Sequence, residues 1–393
     1  MPKRKALEAD AVSITVRWAL SGEILSAVSI SHEASVEDLL SALPLGAHEL
    51  QHLQVLFKEK TLSPQIRLGT VEGLLEYAEV AVVKRPPLLA ILGCDGALAL
   101  WKPEMGDSTK LTGGATTAVE PQGALSLSPS SDGSQLLVGY PQGVARLLSV
   151  EQAGHPADSH RCSAVFTARC GAVLSVSISP CGNYCITGYA NCTARVWSVE
   201  RGSCVKALCR HSGSVLAVSL SSDAETAVTG SSDELAKIWS VRTGSCSQVL
   251  RGHMGIVTSV SFAAEDQRVV TGSFDGSVKV WHCASGVCEM TLSTLSGSAP
   301  ILSLAVCPVE DLVLTGSLDG RCRLWELSTG SMSQVFEAGE AVRSVAISRD
   351  GCHILCGDAD GSCRFWNLKT RKSKQVYLQR GEPILSVMLH SLD

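Results

Sequence analysis

The sequence predicts a mainly β protein: a closed array of seven four-stranded units over residues 88–393, preceded by a small α+β domain over 12–85 and a charged tip at 1–11. Three observations predict it. Trp197, Trp239, Trp281, Trp325 and Trp366 recur at intervals of 42, 42, 44 and 41 residues. A strand pattern absent ahead of Leu88 reappears at 383–390, so the last strand completes the first unit. Residues 12–85 alternate apolar and polar positions without sharing the repeat. A fixed period of about 40–45 residues marks radial or stacked repeats, because one such unit cannot bury its apolar face alone.

In chain order, Val12 to Leu20 alternates as a strand does, Ser21 and Gly22 supply a hairpin turn, and Glu23 to Ile30 is the returning strand. Ser35 to Asp38 is a capping-box-like start to a helix with Leu39, Leu40 and Leu43 on one face, ending at Pro44. Leu53 to Leu62 and Tyr77 to Lys84 are two further strands. This order resembles a ubiquitin-like β-grasp domain, with Leu20-Ser21-Gly22-Glu23 as the closest motif. Lys84 and Arg85 run into Pro86-Pro87, a short stiff joint, and no Gly-Gly pair stands there, so the likeness does not extend to a conjugated modifier.

The repeat motifs run from Gly188 to Asn191 ahead of Trp197, Gly230 to Asp233 ahead of Trp239, and Gly272 to Asp275 ahead of Trp281. Two more follow, Gly316 to Asp319 ahead of Trp325 and Gly357 to Asp360 ahead of Trp366. They resemble the WD40 family, whose repeats each form one four-stranded blade of a β-propeller. Leu88 to Gly96 and Ala97 to Trp101 match the second and third strands of a blade, and Pro383 to Leu389 matches the first strand at Ala172 to Ile178. Closure of this kind removes exposed sheet edges. One degenerate blade lies between: Gly143 to Val150 aligns with Cys192 to Val199 and puts Leu148 in the Trp slot, bringing the count to seven. Residues 102–122 and 151–163, rich in Gly, Pro, Ser and Thr, read as loops.

Composition narrows the function. Hydrophobic residues make up 45% and charged residues 18%, enough for a large core. The net charge of −5 gives no basic excess pointing to nucleic acid. No run of 18 apolar residues spans a membrane, and no apolar stretch follows Pro2-Lys3-Arg4-Lys5, which is either a solvated basic tip or a short nuclear address. These features predict a cytoplasmic or nuclear protein. The 16 cysteines are expected to be reduced. Cys322 and Cys363 take slots filled elsewhere by Leu98, Ala145, Ala194, Ala236 and Val278, which are interior positions, and Cys288 likewise reads as repeat core. His282, Cys283 and Cys288 bracket one turn, but adjacent strand residues point to opposite faces, so no metal site or other cofactor is predicted. No nucleophile, P-loop or metalloprotease motif is present, and no catalytic residue is assigned.

In WD40 blades a His, a Ser or Thr, an Asp and the Trp make a buried hydrogen-bond chain. The resemblance assigns this to His211, Thr229, Asp233 and Trp239, and to His253, Thr271, Asp275 and Trp281. A buried indole N–H needs an acceptor. Blades without the His, with Gly297 and Gly339 near its place, are expected to be locally less stable. The same resemblance places the residue before each turn Asp, and the residue opening each first strand, on the narrow face. Ser232, Phe274, Leu318 and Ala359 are of the first kind, and Ser214, Ile256, Pro300 and Ala341 of the second. Ile256, Phe274 and Leu318 form an apolar patch there, the expected protein-binding site.

The expected function is therefore a non-catalytic scaffold, monomeric by itself, the propeller holding one protein and the N-terminal domain another. A ubiquitin-like domain ahead of a WD40 propeller resembles the Notchless and midasin-binding ribosome-assembly factors. There an acidic residue in the turn after the third β-grasp strand completes the metal site of a giant AAA ATPase, and Glu59 is its match here. The alternative is a ubiquitin-pathway adaptor. Trp239-Ser240-Val241-Arg242 is similar to the Trp-Asp-x-Arg motif of cullin–RING substrate receptors, with Ser240 in place of Asp, and Leu20 and Leu56 could form a surface for ubiquitin receptors.

Overall fold

The computed structural model describes residues 123–131, 135–149, 162–168, 170–263, 265–293, 299–307, 309–370, 372–378 and 383–390, and the backbone of eight strands ahead of them. Two units divide the chain, Met1–Pro86 and Pro87–Leu392. No helix occurs among the described residues, and the helix expected at 35–43 lies outside them.

The first unit holds one five-stranded sheet in the order Ile24–Ser31, Ala11–Trp18, Glu79–Lys84, Leu53–Phe57, Lys60–Leu62. Ala11–Trp18 pairs antiparallel with Ile24–Ser31 and parallel with Glu79–Lys84. The stretch 53–62 is two strands rather than the one expected, with Phe57 opposite Lys60. A two-residue connection suffices to reverse an antiparallel pair, and the break falls where the β-grasp resemblance puts a turn at Glu59.

The second unit contains, among the described residues, seven four-stranded antiparallel sheets. Six begin with Ser126–Pro129, Val173–Ile178, Val215–Leu220, Val257–Ala263, Ile301–Val306 and Val342–Ile347. The seventh joins Ile384–His390 to Leu88–Gly93, Leu98–Trp101 and Ala115–Thr117. Ala115–Thr117 lies inside the stretch expected to be a loop; Thr116 and Thr117 suit a strand and pair with Ala99 and Leu98. Cys162 and Ser163, also expected in a loop, open the strand Cys162–Thr167.

First strands of successive sheets pack side by side, and Ile384–His390 packs against both Val342–Ile347 and Ser126–Pro129. A glycine on the second strand sits at six of these seven junctions. A Cβ on Gly139 would lie 2.7 Å from Val173 Cγ1, one on Gly188 2.9 Å from Val215 Cγ1, and one on Gly230 2.7 Å from Val257 Cγ1. Gly272 meets Ile301 at 2.9 Å and Gly316 meets Val342 at 2.6 Å in the same way, and Gly357 meets Ile384. The glycines of the repeat motif are thus the sockets into which the next sheet's first apolar residue fits. Cys322, Cys363, Ala145, Ala194 and Ala236 are fully buried and Val278 nearly so. Cys288 is exposed, contrary to the core reading: it opens the outermost strand of its sheet, where one side has no neighbouring strand.

Candidate protein-binding rim

Four of the five Trp-closed sheets present the indole to a threonine on the second strand. Trp197 Nε1 donates to Thr187 Oγ1 at 2.8 Å, Trp239 to Thr229 at 2.8 Å, Trp281 to Thr271 at 2.8 Å, and Trp325 to Thr315 at 3.0 Å. In two sheets the chain continues. His211 Nε2 lies 2.7 Å from Thr229 Oγ1 and its Nδ1 2.8 Å from Asp233 Oδ2; the His253 distances to Thr271 and Asp275 are 2.7 and 3.0 Å. Donor arithmetic fixes the tautomer. The carboxylate only accepts, so Nδ1 carries the proton of the neutral ring and donates to it, and Nε2 then accepts the threonine hydroxyl, whose oxygen accepts the indole N–H. Burial pushes both histidines below their usual range, against the opposing pull of Asp233 and Asp275, which agrees with a neutral ring. Burial pushes Asp275 up, but hydrogen bonds from Ser277 and from the Met254 N–H outweigh it and hold the carboxyl at about 2.

These carboxylates brace the turn. Asp233 accepts the Ser212 N–H at 3.0 Å and the Leu235 N–H at 3.1 Å; Asp275 accepts those of Met254 at 2.9 Å and Ser277 at 2.8 Å. Beside it the Ser231 hydroxyl donates to Gly213 O at 3.0 Å and Ser273 to Gly255 O at 3.1 Å. The braced turn then joins the two rim residues of each sheet by one backbone bond. Ser232 N–H reaches Ser214 O at 3.0 Å, Phe274 N–H Ile256 O at 2.8 Å, Leu318 N–H Pro300 O at 2.9 Å, and Ala359 N–H Ala341 O at 2.9 Å.

At the rim Ile256 is 37% exposed, Phe274 48% and Leu318 48%. Ile256 and Phe274 are joined directly, and Leu318 holds the equivalent place in the next sheet. Ser214 and Ser232 are half-buried, and the Ser214 hydroxyl donates to Ala190 O of the neighbouring sheet at 2.9 Å. Two residues escaped the sequence reading. Met254, 89% exposed, extends the patch; its position directly after His253, on the turn that Asp275 braces, was the available signal. Arg323 takes over the missing histidine's task in its sheet. Its Nη1 and Nη2 lie 3.3 and 2.5 Å from the two oxygens of Asp319, a fork the Asp–Arg spacing of four residues permits.

Glu59 and Leu20 lie outside the described residues. Leu56 sits on Leu53–Phe57 opposite Ala81 and Thr61. Among the described residues no group of three or more His, Cys, Asp or Glu is placed to hold a metal ion. His282 Nδ1 lies 3.1 Å from Ser285 Oγ, within its own turn.

Residues 160–198, 202–240, 244–282, 289–326 and 330–367 each match the WD domain, G-beta repeat family. No curated protein matches the chain. These repeats support the WD40 β-propeller family, in which such repeats generally mediate protein–protein scaffolding and are typically non-catalytic.

Proposed function

We propose that this WD40-repeat chain is a non-catalytic adaptor, its seven sheets closing into one propeller whose rim holds a protein partner while the N-terminal unit engages another. The observation that carries this is the rim itself: Met254, Ile256, Phe274 and Leu318 expose apolar side chains on turns whose backbone is fixed by the hydrogen bonds above. Rigid, exposed aromatic and aliphatic groups bind with little ordering cost. The packing of Ile384–His390 between Val342–Ile347 and Ser126–Pro129 supports the closed ring.

The strand order of the first unit, with its parallel pair between Ala11–Trp18 and Glu79–Lys84, supports the ubiquitin-like reading. On that reading Glu59 docks an AAA ATPase in ribosome assembly, within the cytoplasm or nucleus. A ligase-adaptor reading rests instead on Arg242, whose side chain is exposed. Affinity purification of the full chain and three variants, followed by mass spectrometry, tests them. Phe274→Ser should lose the propeller's partner and Glu59→Ala only a large ATPase. Loss of ligase subunits with Arg242→Ala would replace the assembly reading, and an unchanged partner list for Phe274→Ser would refute the rim.

A further inference from the structure

Six of the seven first strands carry a bulge at the same place. The register shifts between Val173 and Ser175, Val215 and Ala217, Val257 and Ser259, Ile301 and Ser303, Val342 and Ser344, and Ile384 and Ser386. The residues left unpaired are Leu174, Leu216, Thr258, Leu302, Arg343 and Leu385. In the degenerate sheet Ser126 pairs with Gly139 as Ser175 pairs with Gly188, which puts Leu125 at the corresponding position. A bulge re-aims its side chain out of the ladder. Each bulged residue stands two positions along the strand from its rim residue, as Thr258 does from Ile256 and Arg343 from Ala341. Thr258 shows where this place lies, since its hydroxyl donates to Ile301 O on the adjacent first strand at 2.8 Å.

The composition of this set is uneven. Five of the seven positions are leucine, one is threonine, and Arg343 alone is charged. The rim pairs outside it, Ala172 with Ala190 through Ala341 with Ala359, carry no charge either. Arg343 is exposed where the leucines are half-buried, and it makes no ion pair or hydrogen bond among the described residues, with the exposed Glu340 on its own connection included. A structural arginine in this protein looks different: Arg323 is buried and forked onto Asp319. A lone guanidinium set in an apolar surround offers its donors to an incoming carboxylate, and the surround weakens competition from water.

Resting on the adaptor reading, we propose that the rim's partner is a protein segment presenting a carboxylate among apolar side chains. The carboxylate seats on Arg343, and the apolar groups run across the two preceding sheets, over Leu302 and Leu318 to Phe274, Ile256 and Met254. Specificity then resides in Arg343 and general affinity in Phe274.

The test uses the full chain and synthetic peptides with fixed Leu and Phe positions and one variable position carrying Asp, Asn or Lys, read by fluorescence polarisation. Wild type should favour Asp over Lys by at least about tenfold, the scale of a charge-assisted bond. Arg343→Glu should invert that order, while Phe274→Ser weakens all three peptides alike. Because Arg343 and Phe274 are exposed, unchanged thermal midpoints verify folding. Equal binding of the three peptides by wild type, with all lost in Phe274→Ser, overturns the carboxylate inference and leaves the rim intact. Binding that ignores Phe274→Ser, or no binding at all, removes the rim reading and this inference with it.

Discussion

The sheet closed by Trp281 and the sheet closed by Trp366 share one register and differ in what fills it. Where the first has His253, Thr271, Ser273 and Asp275, the second has Ala338, Cys356, Asp358 and Asp360. In the first sheet, polar hydrogens pass in sequence from indole to hydroxyl to imidazole to carboxylate. In the second, the Phe336 ring packs 5.7 Å from Trp366, and two carboxylates converge on one donor: Asp358 and Asp360 accept the same Ser362 N–H at 2.8 and 2.9 Å. Yet the strand pairing and the glycine socket persist in both. The comparison separates two tasks: packing carries the fold, and the polar chain only stiffens the turn that presents the rim.

If packing carries the fold, Trp281→Ala and Trp366→Ala should be similarly damaging, each by about 3–5 kcal/mol in urea unfolding. A large gap between them would break the comparison. Thr271→Val should cost about 2–3 kcal/mol, because the Trp281 N–H and the His253 ring nitrogen both lose their partner in the interior. Cys356→Val, an exchange between two apolar side chains at the same place in the other sheet, should cost less than about 1.5 kcal/mol.

A pH titration sharpens the contrast. Burial, and then Asp360 beside it, push Asp358 up to about 7, whereas Asp360 is held low by its hydrogen bond to Asp358. The folded state therefore keeps a proton on Asp358 that the unfolded chain releases near pH 4. That contribution is complete below pH 4 and is lost as pH rises towards 7, with a slope of at most about 1.4 kcal/mol per unit. His211 and His253 act oppositely: their folded pKa values are depressed, so their share is present above about 6.5 and lost as pH falls. Comparing wild type with Asp358→Ser from pH 4 to 8 isolates the carboxyl pair, and the variant should gain relative stability as pH rises. A flat difference would show that the pair shares no proton. The smallest effect belongs to Phe274→Ser, which should shift stability by less than about 0.5 kcal/mol, as an exposed rim residue does.

Much of this was legible in the sequence because it is periodic. The five tryptophans and the glycines before them follow from register alone, and the resemblance to WD40 repeats then implies the rim positions of Ile256, Phe274 and Leu318. What stayed hidden depends on substitution or on the outer edge of a sheet. Arg323 serves Asp319 from the third strand of its sheet, whereas His211 and His253 lie on the connection ahead of the first strand, so a search for His at fixed spacing misses it. Cys288 lies seven residues after its Trp, as Cys204 and Cys246 do, a periodicity that reads as core, yet it is exposed because its strand has only one neighbour. The set around Arg343 assembles from seven sheets over more than 250 residues, and no local pattern marks a bulge.

The pairing of Ile384–His390 with Leu88–Gly93 has a consequence for biosynthesis. On the ribosome, Leu88–Gly93 emerges almost 300 residues before the strand that will cover its free edge. Through that interval the strand Leu-Leu-Ala-Ile-Leu-Gly can pair with Leu98–Trp101 but keeps its other edge uncovered, while later sheets are already able to form. Maturation therefore ends in a single late event of very high contact order, slow on topological grounds. That edge stays open until residue 390 has been added.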